Sequence, residues 1–412
     1  MNNKNWWITL SLVNLAIVAL LGLTLRSKIL FPMRWIDHEH FINAHSHFAF
    51  GGWITLAFFT LFTYTLLPQP QQDNRWYQWM LWGVELTSVG MLLSLPFQGH
   101  GPVGTFFSTL FILFTYGYSW RFVRDLLAVG RRGPSFVLAL CAIACLVISS
   151  AGPFMLAYIM TSGTTDAILF KNTIYYYLHF QYNGFFTLSV FALFFASLYA
   201  DQAHPAPAPA RRFANLLCAS VVPSFFLTLL WYTQHPVILA LALIGIALIL
   251  GTLVYFFRLR TVVPLAAAFH TPVARALWLL VLVSFVVKSV LQMGTIFPDL
   301  GIAVFGFRPI IIGFLHLIFL GLTSFYILAH YIESGVFRIE SPFARFSIWF
   351  FTAAVVIQET ILMIQGIGLL LGTANPIYNW LLWFIAVALF VGALLMVIAR
   401  LARRKSPGYA KA

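Results

Sequence analysis

The sequence predicts an all-α polytopic membrane protein of about twelve transmembrane helices, built as three units of four. Three observations carry this. The 412 residues are 61% hydrophobic and only 8% charged, against about one quarter charged in an average soluble domain. Apolar runs near the ~20 residues needed to cross a bilayer recur almost from end to end. A short motif containing histidine also returns at a constant interval.

Reading apolar runs against breakers places spans near 6–26, 42–67, 76–97, 101–124, 134–160, 171–200, 212–233, 235–257, 273–296, 308–332, 344–372 and 376–402. The opening run resembles a signal peptide but shows no small-residue cleavage site, so it reads as a retained first helix. The linkers "LPQPQQDNR", "GRRGP", "DQAHPAPAPARR", "PLAAAFHTP" and "ESGVFRIESP" carry Pro, Gly and charge. The chain reads as one integral membrane domain, 1–412. Cys141, Cys145 and Cys218 lie in apolar runs and read as small packing residues.

The net charge of +13 sits in interhelical loops and marks topology rather than a nucleic-acid partner. Arg121, Arg124, Arg131 and Arg132 follow span 4, Arg211 and Arg212 follow span 6, and Arg258, Arg260 and Arg275 follow span 8. Arg338 and Arg345 follow span 10, and Arg403, Arg404 and Lys405 end the chain. All face one side if both termini are cytoplasmic. Arg26, Lys28 and Arg34, after span 1, fall outside, which suggests an anionic partner there.

"HFAFGGWITL" from His47, "HFQYNGFFTL" from His179 and "HLIFLGLTSF" from His316 share the pattern H-x4-G-[WFL]-x-[TS]-[LF] and mark spans 2, 6 and 10. "QGHGP", "TQHPV" and "GTANPI" open spans 4, 8 and 12, so His100 and His235 echo each other. Lys171 and Arg308 each stand eight residues before a motif histidine. The repeat brings His45, His47, His179, His316, His100 and His235 to one depth, near the outer face.

Histidine is costly in hydrocarbon unless its nitrogens are satisfied. An imidazole is a common axial ligand of heme iron and also suits copper and zinc. Repeated histidines at one depth therefore predict cofactor ligation. His45 stands about 200° round the helix from His47 and faces a different gap. His38 and His40 read as solvated or propionate-side groups, and His204, His270 and His330 as interfacial. Glu85, Lys288 and Glu359 are the buried ionisable residues, candidates for proton handling or for an internal Lys288–carboxylate pair.

Histidines on spans 2, 6 and 10 of a twelve-helix chain with threefold pseudo-symmetry resemble the catalytic subunit of the heme-copper oxidase superfamily, which includes the oxygen reductases and the nitric oxide reductase large subunit. "FAFGGWITLAFFTLFTY" resembles the low-spin heme helix, "YYYLHFQYNGFF" the helix giving the first ligand of the second metal, and "GFLHLIFLG" the helix carrying His-x-His. The resemblance implies a low-spin heme, b-type, between His45 or His47 and His316. It places Arg308, Lys171, Arg26 and Arg34 near propionates, and His179 at a copper or non-heme iron, with His100 and His235 as supplementary ligands. It also implies a bacterial inner (cytoplasmic) membrane, an electron donor of cytochrome c or quinol type, and accessory subunits.

The chain departs from that family in span 7, which has no histidine, and at Phe314, where the first histidine of His-x-His is expected. The family's arginine pair between spans 11 and 12 is missing too. Three functions follow as alternatives: an oxidoreductase of terminal-oxidase or nitric-oxide-reductase type, a non-catalytic heme electron carrier or gas sensor, and a transporter or metal-handling protein. The histidine spans lack the Gly/Pro interruptions that transporters place near the midplane.

Overall fold

The computed structural model describes residues 3–130, 132–199, 206–262, 268–373 and 375–404, and these form helices and turns without a strand. Arg131, His204 and Lys405, assigned above to topology or interface, lie outside the described residues.

Among the described residues, eleven helices are long and apolar enough to cross a membrane. They are Asn3–Leu30, His38–Leu66, Arg75–Gln98, Pro134–Ser162, Ala167–Leu198, Ala208–Leu229, Pro236–Val262, Pro272–Gly294, Arg308–Glu333, Pro342–Leu370 and Ile377–Ala402. They correspond to spans 1–3 and 5–12. The expected fourth span is a helix of 28 residues, Pro102–Val129, which is less apolar. Thr105, Ser108, Thr115, Tyr116, Tyr118 and Ser119 dilute it, and Arg121, Arg124 and Asp125 occupy its end. A short helix, Pro298–Gly306, also forms in the connection before span 10, where the sequence suggested only a linker.

Caps explain why two histidine spans begin earlier than their apolar runs. The Asp37 carboxylate accepts from His40 N at 2.8 Å, and Asp166 accepts from Ile168 N and Leu169 N. Each satisfies amide hydrogens that a helix start leaves unpaired. The bond to His40 holds the Asp37 carboxyl below its ordinary range. The cap is therefore intact at neutral pH and is lost only as acid protonates it.

The three motif histidines share a backbone feature invisible in the sequence. Each is followed within two residues by the start of a π-helical stretch: Ala49–Thr55, Phe180–Phe186 and Leu317–Ser324. The widened turn uses i→i+5 pairing and recurs at functional sites. The Ser/Thr of the motif completes it in two copies. Thr187 Oγ1 donates to Tyr182 O at 2.5 Å, and Ser324 Oγ to Phe319 O at 2.7 Å. The motif glycine in each stretch takes a neighbour from the preceding span at close range. Gly52 O accepts from Asn14 Nδ2 at 2.7 Å, and a Cβ on Gly184 or Gly321 would meet Cys145 Cβ at 2.4 Å or Ser284 Oγ at 2.6 Å. Asn14, Cys145 and Ser284 precede their glycines by 38, 39 and 37 residues, so the register of the repeat extends to the neighbouring helix. The spans are thus widened, not broken.

Packing follows the same interval. Spans 1, 5 and 9 lie against the π stretches of spans 2, 6 and 10, and 3–4, 7–8 and 11–12 pair as hairpins. Span 4 contacts span 5, span 8 contacts span 9, and span 12 closes onto span 1. The histidine spans meet centrally, where Phe50, Phe186 and Phe319 form a triangle of edge-on contacts with centroids 5.5, 4.8 and 5.7 Å apart. Trp53 Nε1 also donates to Ser324 Oγ across spans 2 and 10 at 2.9 Å. Outer helices turn Trp79, Leu86, Leu93 and Phe97 outward, as a lipid-facing surface requires.

Candidate functional site: two histidine pairs at one end of the bundle

Helix His38–Leu66 carries His45 and His47, the N-terminal half of span 10 carries His316, and the turn between spans 3 and 4 carries His100. The His47 and His100 rings are 5.2 Å apart between centroids, inclined at 62°. The roughly 200° between His45 and His47 explains why one helix serves two separate pairs.

Each of three rings is anchored by Nδ1. His316 Nδ1 donates to Ile312 O at 2.8 Å, His47 Nδ1 to Asn43 O at 2.9 Å, and His45 Nδ1 to Val18 O at 3.2 Å. A carbonyl only accepts, so Nδ1 carries the hydrogen and Nε2 is left with a bare lone pair. That arrangement fixes the tautomer and orientation of a metal-ligating imidazole. All three rings are half-buried. A Cβ on Gly22 would stand only 3.4 Å from His45 Cε1, so span 1 passes the ring closely.

Cations cluster on the His45–His316 side. Arg26 lies in the last turns of span 1 and Arg308 opens span 10. Among the described residues neither arginine has a carboxylate within salt-bridge distance; the ion pairs found are His40–Asp37, Arg121–Asp125 and His270–Glu333. No residue of Arg308–His316 is fully buried, whereas the inner half of span 10 is packed.

His179 stands apart. It is fully buried, its Nε2 donates to Val221 O at 2.7 Å, and its Nδ1 accepts from Asn183 Nδ2 at 3.1 Å. Both nitrogens are used, and the ring ties span 6 to span 7 near Pro223, where the helix tightens to 3-10 form. His235 is exposed at the start of span 8, and its Nδ1 accepts from Val237 N at 3.3 Å. The expected set of His179, His100 and His235 is therefore not assembled. No group of three His, Cys, Asp or Glu close enough to hold a metal ion occurs among the described residues.

The other nominated residues divide. Lys171 holds its ammonium over the Trp231 ring, 4.1 Å from the centroid, and Arg34 is exposed. Glu85 is buried and accepts from Asn14 Nδ2 at 2.8 Å. Lys288 is buried without a carboxylate partner among the described residues, so the internal ion pair considered above does not form. Glu359 Oε1 finds no hydrogen-bond donor. Asn14 escaped the sequence reading, although a polar residue inside an apolar run was signal enough. His270, expected to be interfacial, is exposed and pairs with Glu333 at 2.6 Å. His330, also expected to be interfacial, is buried. The three cysteines are free thiols, Cys145 buried and Cys141 and Cys218 half-buried.

No protein-family profile matches this chain, and no curated protein is similar enough to count as a match.

Proposed function

We propose that the chain is a heme-carrying membrane redox protein with three four-helix units arranged as in the heme-copper oxidases. Its low-spin heme lies between spans 2 and 10, with His45 and His316 as axial ligands. The observation that carries this reading is the pair itself. Two imidazoles, one on span 2 and one on span 10, are each anchored through Nδ1, which leaves each Nε2 lone pair available to a metal. Arg26 and Arg308, without carboxylate partners among the described residues, supply the charge that two propionates need. The three cysteines include no C-x-x-C, which leaves non-covalent b-type binding rather than thioether attachment.

The heme, when bound, supplies one-electron redox chemistry. The protein's part is physical. His45 and His316 would hold the iron, their Nδ1–H bonds would raise the basicity of Nε2, and Arg26 and Arg308 would neutralise the propionates. An iron held by both imidazoles would supply electron transfer rather than gas reduction. A bacterial inner membrane with both termini cytoplasmic puts this edge outside, open to a cytochrome c-like or quinol donor and to accessory subunits.

Purified protein should show a b-type reduced-minus-oxidised spectrum, with one heme per chain, unmoved by carbon monoxide. Absence of heme would remove the proposal. A carbon-monoxide-sensitive band with stoichiometric copper or iron would favour the reductase reading instead.

A further inference from the structure

The second histidine pair, on the other side of helix His38–Leu66, is not used by the heme reading and stands independently of it. His47 presents a bare Nε2 because its Nδ1 is committed to Asn43 O. His100 comes to it from the turn between spans 3 and 4, with ring centroids 5.2 Å apart. That turn is fixed by Gly99, whose φ is +54°, a conformation glycine adopts without penalty. A Cβ there would also strike His40 Cδ2 at 2.7 Å and His40 Nε2 at 2.8 Å. The backbone before His100 is thereby pressed onto the His40 ring. His40 and His47 are seven residues apart, two turns on one face and about 10 Å along the axis. His100 is also within electrostatic reach of His40 and Glu39. Three imidazoles thus step inward from the helix start, and the inner two are in contact.

We propose that His47 and His100 form a two-imidazole site for copper(I), with His40 and Glu39 lining its approach. The number of donors selects the ion. Zinc sites take three or four protein ligands, and calcium or magnesium take oxygen. A third His, Cys, Asp or Glu within reach is lacking among the described residues. Copper suits imidazole, and its monovalent ion accepts two donors in line. Metal–nitrogen bonds of roughly 2 Å put the two centroids about 6 Å apart in a linear arrangement and closer in a bent one. The present 5.2 Å between the His47 and His100 centroids falls within the range of a bent arrangement.

The test is copper(I) titration of the purified full-length protein against a chromogenic copper(I) chelator, with X-ray absorption at the copper edge. The wild type should hold one copper(I) per chain with nitrogen and no sulfur scattering. His100→Ala, at an exposed position, should weaken binding at least tenfold while the heme spectrum is unchanged. His45→Ala should do the reverse, which keeps this site and the heme reading separable. Equal copper(I) affinity in the wild type and His100→Ala overturns the proposal. So does a sulfur-ligated copper, which would point to Cys141 and Cys218, or the absence of tight binding in the wild type.

Discussion

Replacing His316 with glycine should abolish the low-spin heme spectrum and lower heme content by well over tenfold. Losing even a hydrogen-bond partner of a metal ligand costs about 10–100-fold in affinity, and here the ligand itself is lost. The His316 ring is half-buried on a stretch with no fully buried residue, so its removal should leave the packed inner half of span 10 intact. Added imidazole should then enter the vacated space and restore a six-coordinate spectrum, an outcome that separates lost ligation from lost folding. His45→Ala should behave alike, and His47→Ala should leave the spectrum in place. If His47→Ala removes it and His45→Ala does not, the pairing argued from the structure is wrong.

The second large effect is expected at Gly184. A Cβ there lies 2.4 Å from Cys145 Cβ and 2.8 Å from its Sγ, and a Cβ cannot rotate away. Valine adds two further methyl groups, so Gly184→Val should cost about 3 kcal/mol, the upper part of the overpacking range. Thermal unfolding in detergent should show a lowered midpoint, and Cys145→Gly should recover most of it by removing the opposing carbon. Gly321→Val should be milder, because its first obstacle is the rotatable Ser284 Oγ at 2.6 Å. No loss at either position would remove the argument that the motif glycines exist for helix approach.

Much of the fold was legible because bilayer physics writes it in composition: spans, linkers and the repeat all follow from apolar runs and breakers. The chemical role of the repeat was not. H-x4-G-[WFL]-x-[TS] looks like a ligand motif, yet in the structure its glycine admits the preceding helix and its hydroxyl closes a widened turn. Only the histidine varies in use. His316 is free to ligate, His47 faces His100, and His179 is spent on Val221 O and Asn183. Sequence similarity cannot separate these, because the difference lies in what a neighbouring helix offers to the second nitrogen. For the same reason the choice between His45 and His47 could not be made from register. Register fixes depth along a helix, while the partner is fixed by which side of the helix faces span 10. Arg26 stood out in the sequence as an exception to the basic-loop pattern that suggested an anionic partner, and among the described residues no carboxylate lies within salt-bridge distance of it.

The central claim is that two protein imidazoles, from spans 2 and 10, complete the coordination of one heme iron. Low-temperature electron paramagnetic resonance of the oxidised protein, with spins counted per chain, addresses it directly. The account predicts one low-spin ferric heme with the signature of two imidazole ligands, lost in His45→Ala and in His316→Gly. A chain without a heme signal, or one carrying only high-spin iron, would contradict it.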